Sequence, residues 1–581
     1  MSNAGDVTPA LVARVVPNVT GLDKVFDYLV PEGLVGRVSV GSLVRVPLHG
    51  RRVGGWVVSL GAPDPALPIE RLVPIAKFSS VGPSDDIVDL AHWAATRWGA
   101  PRIRPFLVAA NPPNMVPGLP TARRTVPVIT GGAGAVVSGA VVSGVRRITP
   151  LTDPLPMLEA IARQGPCIVV HPVPAATRAI ANRLRRLGLS VAMLPDDWAQ
   201  AAAGVDVVVG TRTAVWAPCP DLRSVVVLDE HDESLQDERT PTWHARDVAI
   251  ERARRAGAAC VLVSPCPTAT ALHWAGDRLE RPSASEAASG WPFVEIVDRT
   301  DEDPWKRSLL SSSLIAQLRS AGTRVVCVLN TSGRARLIAC RSCKALQRCE
   351  RCDAAVAQDD RGLLVCGRCA TERPMVCQQC GSAAMAVVKP GVTRLREELE
   401  AAANRPVVSV TGDTGDLPEA DVYVGTEAVL HRVRNVDVVA FIDFDAELLA
   451  PRYRATEQAL ALIVRAARLV GSRERGGRIL VQTFVPDHPL LRAVQLGDPG
   501  RLADAELERR SMLGLPPFRA LAVIEGAEAV PFATASGLEF APTPKGAMVR
   551  ADTWTQLGGV LAATPRPKGS RLRVEIDPPR A

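Results

Sequence analysis

Eight of the thirteen cysteines fall between Cys340 and Cys380. They form four CxxC pairs, Cys340/Cys343, Cys349/Cys352, Cys366/Cys369 and Cys377/Cys380, in the pattern C-x2-C-x5-C-x2-C-x13-C-x2-C-x7-C-x2-C. A CxxC turn puts two sulfurs on one side of a tight loop. Two such turns complete a tetrahedron of thiolates about 2.3 Å from a zinc ion. Eight ligands make two four-cysteine sites, so two Zn2+ per chain are expected. With every position filled by sulfur, such sites are structural and leave no place for a catalytic water. A disulfide framework needs an oxidising compartment. The polar opening residues, with no apolar core after them, do not read as an export signal. Evenly paired knuckles favour zinc over an iron–sulfur cluster. The four pairs can join in three ways, and the spacing leaves that open.

The other five cysteines, Cys167, Cys219, Cys260, Cys266 and Cys327, sit mostly in apolar runs and read as inert core thiols. A length of 581 residues allows several domains, and 47% hydrophobic with 22% charged residues excludes bulk disorder. The formal net charge of +7 hints at polyanion binding, but eight thiolates against two zinc ions lower it to about +3. Charge alone therefore makes no case for nucleic acid. Residues 126–145 are uncharged and reach membrane-spanning length. Five glycines and little Leu, Ile or Phe make this stretch a linker, and a soluble protein is expected.

Residues 11–59 show short β-branched runs punctuated by Gly and Pro, the signature of a small β-rich domain. Residues 85–98 then follow helical spacing. From about 150 to 275, apolar strands at 167–170, 189–193, 205–209, 225–228 and 259–263 alternate with helices. Such runs mean a parallel sheet covered on both faces. A second set of strands is expected at 323–329, 407–410, 422–424, 438–442 and 479–483, with a helix at 455–470. The cysteine cluster interrupts this set just after its first strand.

Two tandem α/β lobes, with Asp229-Glu230 closing a strand of the first and a zinc module in the second, resemble a superfamily 2 helicase. Several strings narrow the resemblance to the bacterial replication-restart PriA (primosomal protein N′) family. Residues 207–214, VVVGTRTA, are similar to the family's IGTRSA segment. LDEHD at 228–232 is similar to its DEEHD box with one residue missing, and WHARD at 243–247 to its YHARD. VFDYLVPEG at 25–33 resembles the opening FDYLLPEG. LPPF at 515–518 and VEIDP at 574–578 resemble the late segments. The likeness runs from about residue 11 to 578, and its weight lies in all the strings occurring together and in order.

The resemblance implies a multidomain α/β fold with two degenerate RecA-like lobes. The expected domains are a β-rich 3′-end DNA-binding domain at 1–104 and a winged-helix remnant or linker at 105–148. Lobe one follows at 149–285, then lobe two at 286–338 and 383–495, a double zinc module at 339–382, and an α+β domain at 496–581. It also implies nested zinc pairing: Cys340, Cys343, Cys377 and Cys380 on one ion, and Cys349, Cys352, Cys366 and Cys369 on the other.

A phosphate-binding loop needs backbone amides and a lysine that reaches the β and γ phosphates. Where the family carries that loop, residues 148–156 read ITPLTDPLP. Proline removes amide donors and Asp153 would repel phosphates. The chain has only seven lysines, and none lies between Lys77 and Lys306. The family's NRRG becomes NTSG at 330–333, and its GSATPA becomes VSPCPT at 263–268. Its finger motif reads QVAGRAGR; counting back from LVQT at 480–483 puts Leu469 and Ser472 where the two arginines belong. Asp229 and Glu230, the metal-holding acid and the water-orienting base by resemblance, are therefore read as vestigial. No catalytic residue, ATP or Mg2+ is expected.

The family's N-terminal domain holds the 3′ end of a nascent strand. By that likeness Asp27 could accept a hydrogen bond from a terminal 3′-OH between Phe26 and Tyr28, whose rings could stack on unpaired bases. On residue type alone, Phe26 and Tyr28 are equally alternate core residues of a strand. Trp243 and Arg246 are the other expected DNA contacts, and arginines in 334–351 could track phosphates. The expected function is that of a replication-restart primosome component that binds forked and single-stranded DNA and reloads the replicative helicase, with no helicase activity of its own. The expected partners are primosome proteins, the single-stranded-DNA-binding protein and the replicative helicase or its loader. No membrane partner is expected, and the location would be cytoplasmic, at the nucleoid. The alternatives are an ATP-dependent 3′→5′ helicase with a divergent nucleotide site, and a zinc-ribbon interaction module on a decayed scaffold.

Overall fold

The computed structural model describes residues 11–22, 24–64, 68–127, 141–302, 309–330, 337–388, 395–410, 415–567, 569 and 571–580. The chain divides into two compact units. The first comprises Met1–Gly144, Pro154–Leu262 and Arg519–Pro578, and the second Val145–Asp153, Val263–Phe518 and Pro579–Ala581.

The first unit opens on a five-stranded antiparallel sheet, in the order Phe26–Leu29, Val12–Pro17, Arg51–Gly61, Leu43–Leu48, Lys77–Ser80. Alternation puts Ala13, Val15, Tyr28, Val44, Val46 and Val57 into one core. Parallel strands follow in the order Ser224–Leu228, Cys167–Val170, Val207–Gly210, Val191–Met193. The first three are buried at every position, as continuous Val/Ile runs require. The unit ends in an antiparallel sheet, Glu539–Thr543, Gly546–Ala551, Ala520–Glu525 and Arg573–Ile576, with helices Ala529–Ser536 and Trp554–Ala563. Helix Trp554–Ala563 lies on helix Asp85–Arg97. A Cβ at Gly558 would meet the Thr96 carbonyl oxygen at 2.0 Å, so only glycine permits the approach.

The second unit holds a six-stranded sheet in the order Phe293–Asp298, Arg478–Thr483, Val438–Phe441, Val325–Val328, Val422–Gly425, Val407–Val410. Every pairing in it is parallel. Helix Ala455–Val470 covers it with a wide apolar stripe. The cysteine module is inserted after strand Val325–Val328, as two small antiparallel sheets.

Three sequence expectations change. The expected winged-helix remnant or linker at 105–148 begins on a packed helix, while residues 111–127 run irregularly and mostly exposed. Phe106 and Leu107, on helix Arg104–Ala110, are fully buried. The Asp206 carboxylate receives the Thr125 and Val126 amides and the Thr125 hydroxyl, tying down residues before 128. Burial works against that carboxylate, yet these donors and those of Ser190 hold its pKa below the usual range. The Gly-rich core of the stretch, 128–140, lies outside the described residues. Second, strand Gly144–Arg147, which no apolar run announced, pairs in parallel with Leu279–Glu280. Third, the expected domain at 496–581 is cut at Arg519, and residues 263–285 group with the second unit rather than with lobe one. Helix Ala269–Ala275 explains the last change: the Ala269 amide donates to Glu457 at 2.6 Å, and the His273 ring packs on Phe518. Among the described residues no helix is long and apolar enough to cross a membrane.

Candidate metal centres and nucleic-acid face

The eight clustered cysteines converge as two groups of four, Cys340/Cys343/Cys377/Cys380 and Cys349/Cys352/Cys366/Cys369, with the sulfurs of each group within 4.8 Å of one another. The closest Sγ pairs are 3.5–3.6 Å apart. The edge of a tetrahedron of sulfurs around zinc is about 3.8 Å. No cysteine is in a disulfide. The donor set is thus that of two closed thiolate sites.

All four knuckles are built alike. The amide four residues after the first cysteine donates to that cysteine's carbonyl: Lys344 to Cys340, Asp353 to Cys349, Ala370 to Cys366 and Gly381 to Cys377. Each first cysteine donates in turn to the carbonyl five residues on. The turn needs a left-handed residue at its fourth step, and φ is 66° at Lys344, 57° at Asp353 and Ala370, and 73° at Gly381. The geometry aims backbone amides at the sulfurs. Burial opposes the Cys340 thiolate, but the Cys343 and Ser342 amides bring its pKa down to about 6. The inner site is fixed to the six-stranded unit. Arg368 donates to the Cys352 carbonyl at 3.1 Å and to the Ala450 carbonyl at 2.7 Å, and the Ala355 amide donates to Leu449.

The N-terminal strand presents its residues on two faces. In register, Phe26 stands opposite Val15, Asp27 opposite Arg14 and Tyr28 opposite Ala13. Tyr28 is buried, and its hydroxyl donates to the Pro47 carbonyl at 2.9 Å. Burial pushes that hydroxyl's pKa up. Phe26 is half-buried against the same core. Asp27 lies on the other face, 3.7 Å from the Arg14 guanidinium. Of the two aromatic residues, only Phe26 keeps surface for a stacked base.

Trp243 and Arg246 are interior residues, which removes both from the expected DNA contacts. Trp243 is 3% exposed, edge-on to Trp216 with ring centroids 5.7 Å apart. Arg246 is 1% exposed and sits in a chain of charges. It bonds Glu230 and Asp247, each at 2.9 Å, and lies 3.8 Å from Asp577. Asp247 pairs with Arg97 at 2.7 Å, and Arg97 lies over the Trp554 ring at 4.2 Å. Burial opposes both charges. Arg97 is lowered by it, whereas Arg246 and Arg97 overcome it at Asp247 and hold that carboxyl below its ordinary value. Asp229 turns away from its strand in the left-handed region, φ 51°, with His171 Nε2 3.4 Å from its carboxylate.

The 3′DNA-binding domain (3′BD) family of PriA matches residues 14–110, the span that holds Phe26, Asp27 and Tyr28. A Mycobacterium tuberculosis protein, "Probable replication restart protein PriA", is 30% identical over 579 residues, 88% of this chain and 85% of that protein. This chain belongs to the PriA family. A Mycobacterium leprae relative of the same description is 28% identical over 578 residues, 88% of this chain and 86% of that protein. The Bacillus subtilis "Replication restart protein PriA" is 27% identical over 403 residues. That alignment covers 63% of this chain and only 50% of the Bacillus protein.

Within this PriA-family chain, the segment at the phosphate-loop position is bonded to itself and its surroundings. Ile148 donates to the Ser264 carbonyl, the Thr149 amide to the Thr152 hydroxyl at 3.1 Å, and the Thr152 amide to the Thr149 carbonyl. Pro150, Pro154 and Pro156 have no amide hydrogen. An arginine does reach this segment: Arg468 Nε donates to the Pro150 carbonyl at 3.1 Å. It lies on helix Ala455–Val470 one residue before Leu469, and a simple count along the chain passed over it. The NTSG segment, except Asn330, and residues 334–336 of the arginine-bearing stretch lie outside the described residues.

Proposed function

We propose that this chain works in replication restart as a zinc-containing protein that binds forked DNA and helps reload the replicative helicase without driving strand separation itself. The observation that carries the DNA reading is the match of the 3′ DNA-binding domain family to residues 14–110, which holds Asp27 and the half-buried Phe26 on one edge strand, on opposite faces of the sheet. A carboxylate there can accept a hydrogen bond from a terminal 3′-OH, and an aromatic surface can stack on an unpaired base. Two Zn2+ ions, held by the two four-cysteine groups, would fix the module's fold. Primosome proteins, the single-stranded-DNA-binding protein and the helicase or its loader are the proposed partners, and the cytoplasmic nucleoid the proposed location.

Two features support the absence of a motor. Glu230 is committed to a buried ion pair with Arg246, and the amides of Ile148, Thr149 and Thr152 are already donated within the protein. The retained Asp229-Glu230 pair favours the second reading, an ATP-dependent helicase with a divergent nucleotide site.

Fork binding decides the first reading. Band shifts compare a fork with a leading-strand 3′-OH and one ending in 3′-phosphate. The 3′-OH fork should bind more tightly, and Asp27→Ala should abolish the preference. Equal binding of both forks by the unaltered protein, or an unchanged preference in Asp27→Ala, would refute this use of Asp27.

A further inference from the structure

Residues 472–477 join helix Ala455–Val470 to strand Arg478–Thr483 and carry Arg473 and Arg475 around a single carboxylate, Glu474. The backbone here is pinned. The Arg475 and Gly477 amides donate to the Ser472 carbonyl at 3.1 and 3.0 Å, and the Gly476 amide to Arg473 at 3.0 Å. The Arg473 amide bonds Trp291, and the Phe293 amide bonds Gly477. Gly476 sits at φ 84°, and a Cβ on Gly477 would lie 2.5 Å from the Gly471 carbonyl oxygen. Gly476 therefore permits the left-handed turn, and Gly477 the close approach to Gly471.

Beside this loop stands Phe293, 38% exposed. The guanidinium carbons of Arg473 and Arg478 each lie 5.2 Å from its ring centroid. Arg478 is offset by Glu295 at 3.3 Å. Among the described residues no carboxylate forms an ion pair with Arg473 or Arg475. Like charges gathered on a fixed backbone repel one another, and a polyanion laid across them relieves that repulsion. A guanidinium stacked on an aromatic face keeps its N–H edge turned outward, where it can fork onto phosphate oxygens. Because the backbone is already ordered, little conformational entropy is lost on binding.

The place is unusual for a parallel sheet. Phe293 and Arg478 open their strands, whereas ligands of open α/β sheets bind beyond the carboxyl ends. We propose that Phe293, Arg473, Arg475 and Arg478 form a second nucleic-acid contact, which grips the phosphate backbone at the amino edge of the six-stranded sheet. The exposed aromatic among the guanidiniums suits alternating bases and phosphates better than an acidic peptide, which offers no rings to stack. The inference rests on the DNA-binding reading above.

The test uses the full zinc-loaded chain and the double variant Arg473→Glu/Arg475→Glu, with Arg473→Gln/Arg475→Gln as the milder companion. Fluorescence anisotropy with a single strand and with the 3′-OH fork is followed across a salt series. Both variants should bind more weakly, and the slope of log K against log salt should fall by about two, one for each phosphate contact removed. The 3′-OH preference should persist, because Asp27 is untouched. Unchanged affinity and slope would overturn the proposal. So would unchanged DNA binding with a lost affinity for polyglutamate, which would move the surface to an acidic protein. Failure of the unaltered chain to bind forks would instead sink the functional reading, and this inference with it.

Discussion

Asp445 lies four residues beyond strand Val438–Phe441 and is 1% exposed. The Thr483 hydroxyl donates to Oδ1 and the Phe484 amide to Oδ2. These donors favour the carboxylate, but burial and then Asp443 outweigh them and push the pKa up to about 7. In an unfolded chain the same group titrates near 4. Below that value both states hold the proton and Asp445 is neutral to stability. As pH rises from about 4 to about 7, the unfolded chain releases the proton first, so stability falls over that window. Asp445→Asn should remove this slope and should be the more stable protein at pH 8, with little difference at pH 4. Urea midpoints at the two pH values check this, and parallel profiles for both proteins would refute it. Nothing in the string FIDFD distinguishes Asp443 from Asp445. The partners that bury the latter come from strand Arg478–Thr483 and the residue after it, far along the chain. Arg246 was hidden in the same way. A helical arginine in WHARD looks like a surface cation until Glu230, Asp247 and Asp577 are brought around it.

The four cysteine knuckles share one turn, and that turn fixes what each element tolerates. Left-handed backbone costs a residue with a Cβ roughly 1–2 kcal/mol. Gly381 escapes this cost, while Lys344, Asp353 and Ala370 bear it at φ 66°, 57° and 57°. Ala370→Gly should therefore stabilise the inner site, by about 1 kcal/mol after the extra freedom glycine gains in the unfolded chain. Slower zinc release to a chelator would show it, and faster release would contradict it. The cysteine spacing made these elements legible, because a tetrahedral site admits few arrangements of CxxC turns. The shared left-handed step was not legible, since only one of the four positions is glycine. The long Val/Ile strands were readable for a related reason: burial on both faces leaves no polar position to blur the pattern. Strand Gly144–Arg147 was missed because its sequence, GVRR, carries a single large apolar residue. Its place in a sheet comes from the partner strand Leu279–Glu280 rather than from its own composition.

For the whole molecule, the proposed absence of a motor turns on groups that ATP hydrolysis would need and that are already bonded within the protein. ATP hydrolysis draws on amides and a lysine for the phosphates, on acids for the metal and water, and on arginines for the developing charge. In this chain the loop amides of Ile148, Thr149 and Thr152 already have acceptors, and no lysine lies between Lys77 and Lys306. Arg468 donates to the Pro150 carbonyl, and Glu230 is paired with Arg246. Each of these groups already has a partner in the protein, so a nucleotide would have to break those bonds before making its own, and transition-state binding would begin at a deficit. The purified, zinc-loaded chain should thus release phosphate from ATP no faster than Asp229→Asn does, with or without forked DNA, while still distinguishing forks by their 3′ end. Asp229 is the informative control because it would hold the metal in a working site, whereas here it follows strand Ser224–Leu228 with His171 3.4 Å from its carboxylate. Phosphate release that DNA stimulates in the unaltered chain and that Asp229→Asn abolishes would restore the motor. It would also mean that the bonds around Pro150 and Glu230 exchange during turnover.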